Sequence, residues 1–190
     1  MSILDSLALR RNYYKIGKEL PVPQEKVAET IARAVELVPD AFDMKSSRVV
    51  VALNEQQNRL WDAVYDVFGG KVPREKIDGF KAGAGTVLYF YDTAVVKALQ
   101  EKYPAYAANF PVWANQASGM LQIAVWTALR ELGVGASLQH YNPVIDAAVK
   151  TMFAVPESYA LVAQMPFGGI LEEPAPKEKE DMTRRVSVLR

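Results

Sequence analysis

The sequence predicts a single α+β domain, helix-rich, with four or five strands. Three observations predict it. Apolar residues recur at three- and four-residue spacing over several segments, which is the signature of one-sided helices. Short β-branched runs, Arg48 to Leu53 and Thr86 to Tyr91, stand between them and read as buried strands. The length of 190 residues is that of one domain, at about 100 to 200 residues each, and leaves no room for a separate substrate domain.

Taken in order, Ser2 can cap a first helix over about residues 3 to 11, with Ile3, Leu4, Leu7 and Ala8 on one face and Arg10-Arg11 in its last turn. After a polar, aromatic break, Pro23 opens a second helix. Its stripe is Val27, Ile31, Ala34, Val35 and Val38, and it ends near Pro39. The strand from Arg48 is followed by Asn54 as the cap of a third helix with the stripe Leu60, Trp61, Val64, Tyr65 and Phe68, closed by Gly69-Gly70. A short helix starts at Pro73; the strand from Thr86 then runs to Asp92, a cap for the helix that Pro104 closes.

Pro111 opens the longest helix, about residues 112 to 132, apolar on nearly every side from Trp113 to Leu132. Such a helix must be surrounded. One layer of neighbours rarely achieves that in a chain this short, so a second subunit is expected to contribute. Gly133 and Gly135 lead into a strand-like Ala136 to Gln139 and the turn at Asn142-Pro143. A helix over 143–151 and a strand over 159–166 complete the compact part. The extension 172–190 is polar, yet finishes with the alternating Val186-Ser187-Val188-Leu189, a strand looking for a distant partner.

Composition narrows the chemistry. The chain has no cysteine and one histidine, which excludes disulfides, thiolate nucleophiles, Fe–S clusters and any multi-histidine metal site. Its 22 basic and 22 acidic residues balance, removing the attraction that supplies most nucleic-acid affinity, so no nucleic-acid partner is expected. The start lacks a basic stretch followed by an apolar core, so no secretory signal is expected. The most apolar segment carries Asn115, Gln116, Gln122, Arg130 and Glu131, costly in lipid. No membrane association is expected, and cytoplasm is the default location. There is no phosphate-cradling G-x-x-x-x-G-K-[ST] and no G-x-S-x-G elbow near His140. Gly83-Ala84-Gly85 precedes a strand where a dinucleotide fingerprint would follow one. No spacing of carboxylates singles out an acid–base pair.

What remains is a set of polar and basic clusters. Arg10-Arg11-Asn12-Tyr13-Tyr14-Lys15 reads either as arginines complementing a helix dipole or as phosphate and ring-edge recognition by guanidinium forks, amide and phenol. Pro39 to Arg48 is a connector, or a second binding loop. Gln139-His140-Tyr141 reads as a structural histidine beside a tyrosine, or as a site loop. Lys177, Lys179, Arg184 and Arg185 lie in the tail, where solvation is the default.

In combination these segments are similar to a known family. Arg10-Arg11-Asn12-Tyr13-Tyr14, Ala41-Phe42-Asp43-Met44-Lys45-Ser46-Ser47-Arg48-Val49-Val50-Val51, Leu60-Trp61-Asp62, Leu138-Gln139-His140-Tyr141-Asn142-Pro143 and Met165-Pro166-Phe167-Gly168-Gly169 stand in the order seen in the oxygen-insensitive nitroreductases, FMN enzymes, in their short fungal and bacterial branch. The resemblance covers essentially the whole chain. It implies a nitroreductase-like fold with a central antiparallel-type mixed sheet flanked by helices. It also implies an obligate homodimer with the C-terminal strand exchanged to the partner and two FMN molecules between the subunits. By the same resemblance, Arg10, Arg11, Asn12 and Tyr14 would meet the FMN phosphate and pyrimidine edge. Ala41, Phe42, Asp43 and Lys45 would come from the other subunit, Gln139, His140 and Tyr141 would run past the ring, and Arg185 would help hold the phosphate.

Two departures stand out. Family members of this branch show Phe-Asn-x-Gln where this chain has Phe42-Asp43-Met44-Lys45. An aspartate can accept from the flavin N3–H but cannot donate to a carbonyl, while the lysine adds a charge that glutamine lacks. The tail also lacks the usual aromatic and proline spacing before Arg185. The resemblance implies reduction of nitroaromatics, quinones or similar flat acceptors in two-electron steps, with NADH or NADPH as reductant and the chemistry at flavin N5 rather than on a catalytic side chain. Alternatives are a dehalogenation or desaturation on the same scaffold, an FMN-binding redox sensor with little turnover, and a structural dimer without cofactor.

Overall fold

The computed structural model describes residues 2–178 and 180–190; Lys179, one of the tail cations singled out above, lies outside them. Helix α1 (Ile3–Leu9) is followed by β1 (Ile16–Gly17), α2 (Gln24–Leu37), a 3-10 turn (Ala41–Asp43) and β2 (Ser47–Leu53). Then come α3 (Glu55–Phe68), α4 (Arg74–Lys81), β3 (Gly85–Asp92), α5 (Thr93–Lys102) and a second 3-10 turn (Pro104–Tyr106). The chain continues through α6 (Phe110–Glu131), β4 (Val134–Ala136), α7 (Asp146–Phe153) and β5 (Tyr159–Ile170). The fold is α+β, as the sequence predicts.

Strand β5 is the hub of the sheet. It pairs with β3 from Tyr159 to Phe167, with β4 at Phe167 to Gly169 and with β1 at Gly169 and Ile170, while β2 pairs along β3 from Ser47 to Leu53. All four ladders are antiparallel, not mixed; the parallel element is confined to an isolated bridge between Asn12 and Ala136. The glycine pair explains how three strands meet on β5. A side chain at Gly168 would fall on the carbonyl oxygen of Gly17, so only hydrogen fits where β1 crosses.

Two cores flank the sheet. On one face Val27, Ile31, Leu121, Val125 and Leu129 of α2 and α6 pack on Val87, Tyr89, Ala163, Met165 and Phe167. On the other Leu60, Trp61, Val64, Ile77 and Phe80 of α3 and α4 pack on Leu88 and Phe90. The indole N–H of Trp61 donates to Thr86 Oγ1 at 2.9 Å, Thr86 donates to Gln57 Oε1 at 2.6 Å, and Gln57 donates to the Phe80 carbonyl at 2.8 Å. This chain of polar groups is closed, as burial requires.

Several boundaries differ from those the sequence predicts. Ser2 and Asp5 form the complete capping box of α1, but the helix stops at Leu9 with Arg10 in extended backbone. Arg10 is therefore the C-cap residue and Arg11 lies beyond it, rather than both standing in the last turn. Asn54 occupies the N-cap position of α3 with φ 53°, ψ −122° and makes no capping bond; its amide faces Gln24 instead. Asp92 does cap α5, accepting from the Ala94 N–H at 3.1 Å. Only Val134 to Ala136 form β4, and beyond it Gln139 touches β5 through an isolated bridge to Gln164. Helix α7 begins at Asp146, three residues late, because 143–145 are spent in the turn after Asn142. Val186 to Leu189 form no strand within the chain and are exposed.

The long helix is less enclosed than its composition demands. Ala114, Ala117, Leu121, Val125 and Leu129 are buried, but Val112, Met120 and Ile123 on the outer face remain 54%, 44% and 38% exposed. Beside that face a largely apolar groove of about 580 Å³ runs between α1 and α6, lined by Ile3, Leu7, Ile123, Ala124, Thr127 and Ala128.

Candidate functional site

The first cluster is built where the chain leaves α1. Tyr13 N–H donates to the Ala136 carbonyl at 3.0 Å, and the Leu171 N–H donates to the Lys15 carbonyl at 3.0 Å, which stitches residues 12–15 to β4 and to the end of β5. The buried Tyr13 ring accepts Arg130 Nε on its hydroxyl at 2.8 Å. Arg10 lies over the Trp126 ring, 4.2 Å from its centroid. Its Nε is buried without a hydrogen-bond partner, and burial, with the neighbouring Arg11 charge, lowers its pKa from the ordinary arginine value. The guanidinium is thus partly desolvated, with one buried donor unpaired, at a cost of about 1–3 kcal/mol. Arg11 donates to the Ala175 carbonyl at 2.6 Å and Arg130 pairs with Glu173 at 3.6 Å, so the start of the tail crosses here.

The second cluster adjoins it. Gln164 of β5 pins the 139–142 loop: it accepts the Tyr141 N–H on Oε1 at 2.7 Å, and its backbone exchanges both hydrogen bonds with Gln139. His140 is exposed. Tyr141 is packed edge-on against Trp61, Phe68 and Phe80, and its hydroxyl is buried without a partner; that burial raises its pKa. Its ring is thus a core element, whereas the exposed His140 makes no hydrogen bond to another described residue that would mark it as structural.

Against Tyr14 and α4 lies a cavity of about 330 Å³ lined by Tyr14, Lys15, Pro73, Glu75, Lys76, Gly79 and Phe80. Lys76 was not legible as a site residue. Its ammonium sits 5.9 Å from the Tyr141 ring centroid, whereas the other cations of α4, Arg74 and Lys81, are paired with Asp62 and Asp78. The lysine without a carboxylate partner among the described residues is the one aimed at the cavity wall. Only the tertiary pairing distinguishes it from its neighbours.

The third cluster stands elsewhere. Phe42, Asp43 and Lys45 all have positive φ, at 57°, 49° and 50°; left-handed backbone costs non-glycine residues of the order of 1–2 kcal/mol each, so the turn is held by its surroundings. Phe42 is stacked on Trp113 at 5.6 Å and touches the rings of Tyr103, Tyr106 and Phe110. Asp40 Oδ2 accepts both the N–H and the hydroxyl of Ser46 at 2.9 and 2.7 Å. The exposed Asp43 and Lys45 pair at 3.2 Å.

The structure joins residues 12 and 13 to Ala136, at the start of the segment that leads to Gln139, and places Ala41, Phe42, Asp43 and Lys45 elsewhere, against Trp113. Trp113 and Trp126 are thirteen residues apart on α6, about 20 Å along the axis at 1.5 Å per residue. The turn around Phe42 is fixed at one of these points and Arg10 at the other. Arg185 donates to Glu180 at 2.6 Å. Among the described residues no cluster of three or more metal-ligating side chains occurs, and no helix is long and apolar enough to cross a membrane.

A family model described as the nitroreductase family matches residues 8–169. Nitroreductase FRM2 of Saccharomyces cerevisiae is 32% identical over 188 residues, covering 97% of this chain and 95% of that protein. Nitroreductase CinD of Lactococcus lactis, solved in complex with chloramphenicol, is 44% identical with a TM-score of 0.95, and in complex with 4-nitrophenol it is 43% identical with a TM-score of 0.91. Both superpositions cover 100% of either chain.

Proposed function

The chain belongs to the nitroreductase family, and we propose that it is an NAD(P)H-dependent FMN oxidoreductase, working as a homodimer, that reduces nitroaromatics, quinones or similar flat acceptors. The family makes it a nitroreductase-type oxidoreductase; cofactor, reductant and acceptor are the proposal. The observation that carries it is the group of guanidiniums at residues 10 and 11, with Arg10 Nε left without a partner among the described residues, on the segment whose next residues, Tyr14 and Lys15, line a cavity with Glu75 and Lys76. Those residues fit a phosphorylated flavin: guanidinium forks for the phosphate and, for an electron-rich ring, two ammonium groups against the single carboxylate of Glu75.

When bound, FMN would supply the two-electron relay, taking hydride from NADH or NADPH at N5 and passing it to the acceptor. Arg10 and Arg11 would anchor the phosphate. Lys15 and Lys76 would offset negative charge on the reduced ring, the buried wall of Phe80 and Tyr141 keeping water away and so strengthening that interaction. No proton donor is required of the protein in the hydride step, which suits a site without a carboxylate pair. The separation along α6 is explained if Ala41, Phe42, Asp43 and Lys45 serve the cleft of the other subunit, with the outer face of α6 as the seam. CinD has been solved with chloramphenicol and with 4-nitrophenol, both nitroaromatics, which supports that acceptor class.

The test is an anaerobic titration. Purified protein should show a flavin absorbance that bleaches with NADH or NADPH and returns with stoichiometric 4-nitrophenol or a quinone. A flavin that binds but is not reduced by either nicotinamide would favour a redox sensor and count against the enzyme.

A further inference from the structure

The turn that presents Asp43 and Lys45 is strained and exposed, so something must hold it. Its most direct tether is Arg48 of β2. Arg48 Nη1 donates to the Lys45 carbonyl at 2.6 Å, closing the turn over the residue with φ 50°. The same guanidinium is fixed from two other strands: Nε donates to the Tyr159 hydroxyl at 3.0 Å and Nη2 meets Asp92 Oδ2 at 3.2 Å. Asp92 is itself immobilised, its other oxygen capping α5 and its N–H donating to the Ser46 carbonyl at 2.9 Å. Nη1 also donates to the Ser47 carbonyl at 3.0 Å, so a side chain bonded to the starts of β2 and β5 and the end of β3 reaches the turn carbonyl of Lys45.

We propose that Arg48 is a positioning residue for the cofactor. Anchored by Asp92 and Tyr159, it fixes the left-handed Lys45 and so sets where the Asp43–Lys45 pair stands against the flavin of the neighbouring subunit. The proposal rests on the function stated above and adds to it a residue that touches neither flavin nor substrate. Planarity matters here. One guanidinium reaches four acceptors from its three nitrogens, which a lysine ammonium on a flexible stem cannot reproduce.

The experiment is a double-mutant cycle read by FMN affinity of the apoprotein, from quenching of flavin fluorescence, and by the midpoint potential of the bound flavin. Arg48→Ala is expected to raise the FMN dissociation constant about tenfold and to move the potential. In the background Asp43→Asn with Lys45→Gln the same change should alter affinity less than about twofold, because the groups it positions are gone. An undiminished effect in that background would mean that Arg48 acts on the fold at large and would overturn the proposal, as would wild-type affinity and potential in Arg48→Ala. Should Arg48→Ala not fold, Arg48→Lys takes its place in the cycle with the same two outcomes. Arg10→Ala separates the levels. If it releases FMN while Arg48→Ala changes nothing, only the positioning role fails; if the wild-type apoprotein takes up no FMN, the underlying function fails and this role with it.

Discussion

Arg10→Ala is expected to release FMN. Losing one charge-assisted hydrogen bond costs about 1.5–3 kcal/mol, which at 1.4 kcal/mol per decade weakens binding roughly ten- to hundredfold. The site sharpens the expectation. Arg10 stacks over Trp126 and holds a buried donor that nothing among the described residues satisfies, so its guanidinium is partly desolvated and oriented before any ligand arrives. Arg10→Lys keeps the charge but loses the fork and the flat stacking face, and should fall between wild type and alanine. Fluorescence titration of apoprotein with FMN measures both. An alanine variant with unchanged affinity would remove the phosphate role from this cluster.

A charge on the outer face of α6 should cost more. Ile123 is 38% exposed in the single chain and lies beside the groove walled by Ile3, Leu7 and Ala124. In a two-fold dimer the same patch meets itself, so Ile123→Glu introduces the carboxylate twice. Burying an unpaired carboxylate costs several kcal/mol each time, enough to weaken dimerisation by roughly a thousandfold or more. Sedimentation at micromolar concentration should find monomers, and FMN should be lost with the dimer because the Phe42 turn and the Arg10 cluster of one chain stand at opposite ends of α6. A variant that stays dimeric and yellow would move the seam elsewhere.

The features legible in the sequence are those fixed by local pattern. The stripes of α2 and α3, the β-branched runs of β2 and β3 and the Asp92 cap were each written within a few consecutive residues. Those that were not depend on distant partners. Two residues, Ile16 and Gly17, make a strand only because Gly169 and Ile170 lie opposite, and Asn54 gives up capping for a conformation set by the strand it ends. In the site, the arginine run was visible as chemistry, whereas Lys76 differs from Arg74 only in which carboxylates the fold places within reach. The left-handed backbone of Phe42 and Lys45 has no signal in residue type, and Asp43 offers only the mild left-handed preference of an aspartate; the turn is held by the aromatic cluster, Asp40 and Arg48.

The central claim is that two copies of this chain clasp FMN in the clefts along their shared face. The most direct test is the native mass of the purified protein by sedimentation, measured together with the flavin released on denaturation. A species of two chains releasing one FMN per chain is the predicted result. A colourless monomer that takes up no added FMN would contradict the account.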